Sequence, residues 1–402
     1  MKRYCSVLLA LSLVLFPVLA QAAQFAIFGP RALGMGGASV AAVNDSTAVY
    51  WNPAALANSR KVDIRVPGGA AIRDYMDLGN KWDRIQVIQD AVDAGDYTAA
   101  AELKQLLLDL ARPDAVTNID VTGGLLVSFP VSSSAVAVSV IGIGFAELRP
   151  TVDTLHLNTS LPTSSINGIA FNNSAVGAFG VVTAEPAISF ATSLGDHFLV
   201  GANAKMVYAS TFLHSALTRS GNFDNFVSDM NNSETTSHKG SIDAGILYKP
   251  VSGLDIGVVG RYLNSPSFPI MGLAAVKNGA GDVILAPVAS GEIEIKPQYR
   301  AGVAWHPFDN LTLSADYDLT KNKSFTESTE DQTIAGGIEL TMLNEILSLR
   351  AGAYKNTAND LANIVYTAGL GLRVFFLRID VAGAYDFKEQ EAQASASLAL
   401  RF

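Results

Sequence analysis

The sequence predicts an all-β protein, a transmembrane antiparallel β-barrel of about fourteen strands, on the strength of three observations. The chain begins with an export signal. It is apolar on average, with 49% hydrophobic and 16% charged residues, yet no later stretch is long and apolar enough for a membrane-spanning helix. Segments that alternate apolar and polar residues recur to the end of the chain, joined in turn by short turns and long loops.

The first residues have the pattern of a cleaved signal peptide. Basic residues precede an apolar run over residues 7–20, and Ala20-Gln21-Ala22 fits the small-x-small rule for cleavage. We therefore expect residues 1–22 to be removed on export. An exported chain that is apolar without an apolar helix is either a secreted β protein or an outer-membrane barrel.

The cysteine count and the charge exclude several function classes. The single cysteine, Cys5, lies in the predicted signal, so the mature chain would have no thiol for a disulfide or a cysteine-ligated metal. The net charge of −9 does not favour nucleic-acid binding, and removal of the basic signal makes the mature chain more acidic.

A segment rich in small residues, 28–56, lies between the signal and the first alternating strand. We expect it to be the main part of a hatch, residues 23–60, that folds inside the barrel. Gly34, Gly36 and Gly37 would let its backbone turn tightly in a crowded lumen. A nucleotide-binding loop is the alternative for these glycines, but no strand of a βαβ unit precedes them.

The same segment ends in Asn52-Pro53-Ala54, which fits a local helix start with Asn52 as N-cap and Pro53 at the first helical position. Water channels contain this triplet in two copies within a helical bundle, whereas this chain has one copy and no predicted bundle. We assign the hatch and its gating to Gly34, Gly36, Gly37, Asp45, Asn52, Pro53 and Ala54.

Residues 61–402 are predicted to form the barrel. Both chain ends then fall on the short-turn side, which is the periplasmic side in barrels of the Gram-negative outer membrane. The strands are expected at residues 61–72, 118–129, 134–146, 177–192, 198–210, 239–248, 254–264, 292–305, 311–320, 332–341, 346–354, 364–374, 377–387 and 391–402.

A charged segment of helical periodicity, residues 78–112, follows the first strand. Apolar residues share one helix face twice, on either side of an Ala-Gly-Asp break, at Trp82, Ile85, Ile88 and Val92 and again at Leu103, Leu106, Leu107 and Leu110. We expect a helical hairpin inserted in the first extracellular loop. It either packs on itself and on the barrel rim or acts as a lid that catches a ligand or binds a partner.

Aromatic residues favour a barrel over a secreted sandwich, whose strands also alternate but bury their apolar face. Aromatic side chains cluster at the short-turn ends, as an interfacial girdle requires. They are Phe129, Phe198, Tyr248, Trp305, Phe308, Phe375, Phe376 and Phe402. The last of them ends the chain on an amphipathic strand, which resembles the terminal signal of outer-membrane barrels, so we assign Phe402 to recognition by the barrel assembly machinery.

A set of charged residues falls on the polar face of the predicted strands and would point into the lumen. These residues form either an ion-pair network that grips the hatch or a ligand site. They are Asp243, Asp255, Arg261, Glu292, Glu294, Arg300, Asp316, Asp318, Glu339, Arg350, Arg373, Arg378 and Asp380.

The sequence predicts no catalytic, metal or cofactor site. The five histidines are scattered over turns and loops without the spacing of metal ligands. Serine is so frequent that any Ser–His pair chosen as a catalytic site would be arbitrary. We expect the protein not to be an enzyme.

Three parts of the opening segment resemble a known family. Gly29-Pro30-Arg31-Ala32-Leu33-Gly34, Asn44-Asp45 and Asn52-Pro53-Ala54 are similar to the N-terminal hatch of FadL-type outer-membrane transporters of long-chain fatty acids and other hydrophobic compounds, and to PorV, a related barrel of type IX secretion. The helical insertion most resembles a group of outer-membrane proteins labelled as conjugal-transfer TraF-like. A thioredoxin-like transfer protein shares that label, but its Cys-x-x-Cys motif is missing here, so redox chemistry does not carry over.

The resemblance implies a fourteen-stranded barrel filled by its hatch, with ligand captured outside the cell and released through a side opening after the hatch rearranges. The first hypothesis is passive, hatch-gated uptake of hydrophobic small molecules. The second is a non-transporting barrel that docks a protein of a conjugation or secretion system through the helical hairpin and the loop at 222–236. Expected partners are outer-membrane lipid, the barrel assembly machinery, and a hydrophobic small molecule or such a protein, but no nucleic acid.

Overall fold

The structure is a computed structural model that describes nine stretches of the chain. These are residues 25–74, 77–94, 96–112, 115–157, 172–217, 226–277, 283–324, 330–388 and 391–402. The predicted signal peptide, residues 1–22, lies outside the described residues.

Fourteen antiparallel strands close into one barrel, in which consecutive barrel strands pair and the last pairs with the first. The closing register runs from Asp63↔Arg401 to Arg73↔Glu391. The barrel strands are β1 Asp63–Asp74, β2 Thr117–Val131, β3 Ser134–Thr151, β4 Ala175–Leu194, β5 Phe198–Leu217, β6 Thr235–Val251, β7 Leu254–Arg261, β10 Gln298–Phe308, β11 Leu311–Asp318, β14 Thr333–Met342, β15 Leu347–Asn356, β16 Val365–Val374, β17 Leu377–Tyr385 and β18 Glu391–Arg401. The predicted fold class and strand number are confirmed.

Two hairpins form separate sheets that are not hydrogen-bonded into the barrel ladder. They are formed by β8 Ser267–Lys277 with β9 Val283–Glu294, and by β12 Asn322–Lys323 with β13 Glu330–Asp331. The predicted strand at 292–305 is therefore wrong at its start. β9 ends at Glu294 and β10 begins after Pro297, because proline has no N–H to donate to a ladder.

The distribution of side chains is that of a membrane barrel. Large apolar residues are exposed on the outer face of every barrel strand, whereas arginine, aspartate and glutamate side chains are buried in the interior. Aromatic side chains lie exposed in two rings. The short-turn ring contains Phe129, Phe198, Tyr248, Trp305, Phe308, Phe375, Phe376 and Phe402, and the ring toward the long loops contains Tyr208, Tyr299, Tyr317, Tyr366, Tyr385 and Phe387. A closed sheet with an apolar exterior excludes the sandwich alternative.

The wall is uneven in height. β2 to β6 have 15 to 20 residues each, whereas the other barrel strands have 8 to 12. The tall strands extend at the end with long loops, and we call the two ends of the barrel the long-loop end and the short-turn end.

Two helices, Leu78–Asp93 and Tyr97–Leu110, form the connection between β1 and β2. The second begins where the side chain of Asp96 accepts hydrogen bonds from the N–H groups of Thr98 and Ala99. The helices bury apolar side chains against each other, including Ile85 and Leu103, and also contact Val152 and Leu157 of the loop after β3. A third loop helix, Phe226–Asn232, precedes β6.

No helix in the described part of the chain combines the length and the apolar character that a membrane crossing requires.

Candidate functional site

Residues 25–59, which we call the luminal segment, fill the interior of the barrel. The segment contains the helices Pro30–Gly34 and Ala48–Trp51 and the 3₁₀ helix Pro53–Asn58. All its residues from Phe25 to Ser59 are buried or half-buried except Asn44. Its contacts reach strands on every side of the barrel, from β3, β4, β5 and β6 to β15, β16, β17 and β18. The assignment of residues 23–60 as one functional unit, the hatch, remains a prediction from the sequence.

Two of the three glycines predicted to gate the lumen, Gly34 and Gly36, lie where the luminal segment meets the wall without a gap, whereas a Cβ atom on Gly37 would meet Ile27 of the same segment. A Cβ atom on Gly36 would lie 2.7 Å from the carbonyl oxygen of Gly336 and 2.8 Å from the nitrogen of Ala353. Gly36 and Gly37 also have φ angles of 67° and 85°, which favour glycine. The N–H of Gly36 donates to Oγ1 of Thr367 (3.0 Å), which in turn donates to the carbonyl of Gly34 (3.2 Å).

Asn52 makes hydrogen bonds both within the luminal segment and to the barrel wall. Its Oδ1 accepts from the N–H of Ala54 (3.1 Å) and caps the 3₁₀ helix that begins at Pro53. Its Nδ2 donates to the carbonyl of Val40 (3.1 Å) within the segment and to that of Ile246 in β6 (3.2 Å). The triplet therefore both starts a helix and ties it to the wall, and Asn52 is fully buried.

Asp45 belongs to a continuous chain of ion pairs between the luminal segment and the wall. Its carboxylate lies 3.2 Å from Nη2 of Arg65, which also pairs with Asp63 at 3.0 Å. Burial raises the pKa of Asp45, but the charges of Arg65 and Arg31 and the hydroxyl of Thr47 outweigh burial and hold it well below its usual range. Asp45 is therefore ionised at neutral pH.

The ion-pair chain continues across four wall strands to Arg31 of the luminal segment. Nη1 of Arg350 lies 2.7 Å from Asp380 and its Nε donates to Glu339 at 2.6 Å, while Nη2 of Arg31 lies 2.7 Å from Glu339. Arg378 and Arg65 also contact Asp380, at 3.1 and 3.5 Å. The set, which we call the latch network, has four arginines and four carboxylates and is balanced in charge. Its members are Arg31, Asp45, Asp63, Arg65, Glu339, Arg350, Arg378 and Asp380.

Two further wall side chains hold the backbone of the segment. Oδ2 of Asp316 accepts from the N–H groups of Ser39 (2.7 Å) and Val40 (2.9 Å). Nδ2 of Asn203 donates to the carbonyl of Val49 (2.7 Å). A buried backbone without regular structure needs such partners, because unpaired buried groups are costly.

An aromatic cluster, which the sequence did not predict, lies at the centre of the lumen. Phe28 stacks on Tyr50 at 4.9 Å between ring centroids, and Trp51 donates from Nε1 to the carbonyl of Phe28 (2.9 Å). The guanidinium carbon of Arg261 lies 3.9 Å from the ring centroid of Tyr50, and that of Arg300 lies 4.1 Å from the centroid of Phe25. Stacking on aromatic faces lets wall arginines contact apolar residues of the segment.

Beside this cluster lies a second balanced charge group on β4, β5, β6 and β7. Nζ of Lys205 lies 2.9 Å from Glu185 and 3.1 Å from Asp243. The hydroxyl of Tyr262 donates to Glu185 (2.5 Å), and Arg261 lies 3.9 Å from the same carboxylate. Lys205 and Glu185 were not in the predicted inward set, because β4 and β5 read as mainly apolar in sequence.

Two cavities lead from the long-loop end toward the luminal segment. The outer recess, about 40 Å³ and open to solvent, is lined by residues that include Asn118, Phe145 and Asp331. The inner cavity is small, about 20 Å³, and is bordered by Phe25, Ala26 and Ile27 and by the small side chains of β1 at residues 69–71. Arg73 and Asp120 line both cavities and form an ion pair between them.

Next to the inner cavity the ladder between β1 and β2 is interrupted. The pairs Arg65↔Leu126 and Gly68↔Gly123 keep one register, but Val66 and Pro67 have no partners on β2. Pro67 has no N–H to donate, and the facing strand has glycine at 123 and 124. The wall is therefore weakest at this point of the β1–β2 seam.

Most of the predicted inward charges are buried in the interior, and three are not. Glu292 and Glu294 lie on the β9 arm of the separate hairpin, with Glu292 exposed, because the wall strand begins only at Gln298. Arg373 lies at the short-turn end, where Nη1 pairs with Glu345. These three assignments to the lumen are wrong.

Phe402 is exposed at the short-turn end, and its backbone continues the closing ladder by exchanging hydrogen bonds with Val62 (2.9 and 3.1 Å). Its role as an assembly signal stays a prediction. Within the described residues, no group of three or more histidine, cysteine or acidic side chains could hold a metal ion.

Comparisons with known proteins agree with this architecture. The sequence matches the family described as "F plasmid transfer operon, TraF, protein" over residues 49–318. The toluene transporter TbuX of Ralstonia pickettii has a similar structure, with a TM-score of 0.58, 14% sequence identity and coverage of 94% of this chain and 99% of that chain. The toluene transporter TodX of P. putida has a TM-score of 0.56 and 14% sequence identity, with coverage of 94% of this chain and 99% of that chain. A FadL homologue of Pseudomonas aeruginosa has a TM-score of 0.51 and 13% sequence identity, with coverage of 95% of this chain and 99% of that chain. A search of curated protein sequences found no match.

This closed fourteen-stranded barrel with a filled lumen has the fold of the solved toluene transporters and of the FadL homologue, that of a FadL-type β-barrel. The chain belongs to the family of the F plasmid transfer operon TraF protein. Both parts of the predicted resemblance, to FadL-type barrels and to the TraF-like group, are confirmed.

Proposed function

We propose that the protein is a passive channel for hydrophobic small molecules in the Gram-negative outer membrane, with residues 23–60 as the hatch domain and both mature termini in the periplasm. The solved barrels of similar structure include two toluene transporters and a FadL homologue. The polysaccharide surface of that membrane slows apolar solutes, and a lined path through a barrel avoids it. The long-loop end would then face the outside of the cell.

The observation that carries the proposal is the alignment of two cavities with a weak seam in the wall. The outer recess leads to the Arg73–Asp120 pair, and behind that pair lies the inner cavity beside Phe25 and the small residues of β1. The β1–β2 interruption at Pro67 adjoins the same part of β1. A molecule in the inner cavity therefore has a short way into the membrane, where apolar solutes are stable.

The luminal segment would control this path by moving between two packings. Phe25, Ala26 and Ile27 line the inner cavity, so a shift of these residues changes its volume directly. The latch network and Asn52 hold the rest of the segment to the wall. The part that moves would then be the N-terminal part, whereas the residues from Gly34 to Ala54, to which the sequence analysis assigned the gating, would belong to the anchored part.

A disulfide across the interruption between β1 and β2 tests whether apolar molecules leave the barrel there. Val66 and Leu125 face outward at the interruption, and Ile72 and Ile119 form a regular pair higher on the same strands. The double variant Val66→Cys/Leu125→Cys should lose uptake of N-phenyl-1-naphthylamine by intact cells when oxidised and regain it on reduction. The control Ile72→Cys/Ile119→Cys should retain uptake in both states.

Equal uptake by oxidised and reduced Val66→Cys/Leu125→Cys cells would place the exit elsewhere. Equal uptake by cells with and without the unmodified protein would contradict transport itself. Folding of each variant is checked by the difference in gel mobility between unheated and boiled samples.

A second candidate function is docking of a conjugation or secretion protein, and the description of the matching family as part of a transfer operon favours it. The two loop helices expose apolar side chains such as Val87 and Leu108. Deletion of residues 78–110 should then abolish capture of a partner from membranes of the native host while leaving uptake unchanged. Loss of uptake without loss of a protein partner would contradict docking.

A further inference from the structure

The hairpin β8–β9 folds inward and covers an apolar strip on the inner wall. The strip consists of Phe179 and Val181 on β4 and Val207 and Ala209 on β5, all of which are buried. These residues share the parity of Glu185 and Lys205, so their side chains point into the barrel. The hairpin covers them with Phe268, Ile270, Ile293 and Ile295, each at most 2% exposed.

Without the hairpin, the strip would be an open apolar surface in the lumen. Val207 and Ala209 are each 0% exposed with the hairpin in place. Apolar surface exposed to water is unfavourable, so the strip needs an apolar cover. The hairpin supplies that cover from within the chain.

The strip is continuous with the path described above. Phe145 packs against the strip and also lines the outer recess. The same side chain packs against the core formed by the luminal segment. An apolar molecule on the strip would therefore lie between the mouth of the barrel and the luminal segment.

The attachment of the β8–β9 hairpin allows it to move away from the wall as one unit. Oγ1 of Thr211 on β5 donates a hydrogen bond to the carbonyl of Pro269 on β8 (3.0 Å). Its base closes on itself, with the N–H of Ile295 donating to the carbonyl of Pro266 (2.9 Å). The connection from β7 contains Tyr262 and Ser265 at φ 52° and 49°, a conformation that costs energy in non-glycine residues.

We propose that the β8–β9 hairpin is a displaceable occupant of an apolar binding strip on β4 and β5, and that an apolar small molecule binds the strip in its place. This inference rests on the proposed function, because it assumes that such molecules enter the barrel. The exchange conserves apolar burial on the wall, since ligand carbon replaces the isoleucine and phenylalanine side chains of the hairpin.

A reversible clamp tests the displacement. A Cβ atom on Gly272 of β8 would lie 3.2 Å from Cδ2 and 3.8 Å from Cγ of Leu213 on β5. The double variant Leu213→Cys/Gly272→Cys can therefore tie the hairpin to the wall, and the one native cysteine, Cys5, lies in the predicted signal. The control Ser210→Cys/Thr236→Cys joins a neighbouring β5–β6 pair, with hydroxyls 3.3 Å apart, and leaves the hairpin free.

We expect oxidised Leu213→Cys/Gly272→Cys cells to lose uptake of N-phenyl-1-naphthylamine and to regain it on reduction, while the control pair keeps uptake in both states. Unchanged uptake in the oxidised clamp would overturn the inference. Cells with the reduced clamp that take up no more than cells without the protein would instead contradict the proposed function.

A labelling measurement keeps the inference testable if the clamp fails to form. Ile293 lies on the face of the hairpin that covers the strip and is 1% exposed, so Ile293→Cys should react slowly with a maleimide. Toluene added to the purified, folded protein should increase the labelling rate, because toluene bound to the strip displaces the hairpin and exposes its apolar face to solvent. A rate unaffected by saturating toluene would contradict displacement whatever the uptake result.

Discussion

Arg31 and Glu339 meet 2.7 Å apart inside the barrel, one from the luminal segment and the other from strand β14. The pair is the link through which the latch network reaches the segment's first helix. Nη1 of Arg31 also donates to the carbonyl of Ala42 (2.8 Å), so one side chain joins both halves of the segment to the wall. Because the network is balanced in charge, removal of one member leaves a buried charge without its partner.

Arg31→Met should therefore loosen the luminal segment. Removing one member of a buried ion pair typically costs about 3–5 kcal/mol, and here Glu339 would keep only Arg350. We expect the variant to show raised and noisier conductance in planar bilayers. Arg84→Met, which breaks the exposed Arg84–Glu102 pair, is the control and should conduct like the unmodified protein.

Gly337→Ala should displace the segment by steric contact alone. A Cβ atom at this position would lie 2.6 Å from Cα of Met35, an approach to backbone that cannot be relieved by side-chain rotation. The expected result is faster proteolysis within residues 25–59 of a barrel that still shows heat-dependent gel mobility. Gly240→Ala, where no atom lies within 4 Å of the new methyl group, should leave proteolysis unchanged.

Asn52→Asp should weaken the attachment to β6 without changing the size of the side chain. The variant has no Nδ2 to donate to Val40 and Ile246, and a carboxylate next to two carbonyl oxygens is repelled. Loss of two buried hydrogen bonds costs about 1–3 kcal/mol each, measured as a lower guanidinium midpoint. Asn44→Asp, at the one exposed position of the segment, is the matched control, and an equal shift in both variants would contradict the anchoring role.

The outer recess should respond to pH through Asp331 in the β12–β13 hairpin. Burial, followed by the negative charge of Asp318, raises the pKa of Asp331 from 3.8 to about 7. An acid whose folded pKa is raised destabilises the folded state above that pKa, and the destabilisation is relieved as the pH falls through 7. The free energy of unfolding should thus rise from alkaline to mildly acidic pH by more in the unmodified protein than in Asp331→Asn. Identical pH dependence in the two proteins would contradict this assignment.

Much of the barrel could be predicted because the period of two persists wherever one face meets lipid. Leu311–Asp318 alternates without interruption and Glu391–Arg401 does so except at the buried Ala399, and the polar residues of both strands lie inside as expected. The prediction failed at β9, where Glu292 and Glu294 alternate with isoleucines in the same way. There the apolar face covers the inner wall instead of meeting lipid, and the period cannot tell these two environments apart.

The luminal segment could be recognised by its small residues, but its partners could not. Glycine at 34, 36 and 37 indicated a crowded backbone, and the structure shows which wall backbone crowds Gly34 and Gly36. The contacts Arg31–Glu339 and Asn203–Val49 join residues 308 and 154 positions apart. No local pattern encodes such pairs, so the latch network and the aromatic cluster of Phe25 and Tyr50 emerge only from the folded barrel.

The initial rate of radiolabelled toluene uptake by intact cells tests the proposed passage of apolar molecules across the outer membrane through this lumen. Cells that carry the protein should take up toluene faster than matched cells that lack it, while uptake of a polar solute such as glycerol should be the same in both, because the luminal segment leaves no open pore. Equal toluene uptake in the two strains, or an equal increase for both solutes, would contradict the account.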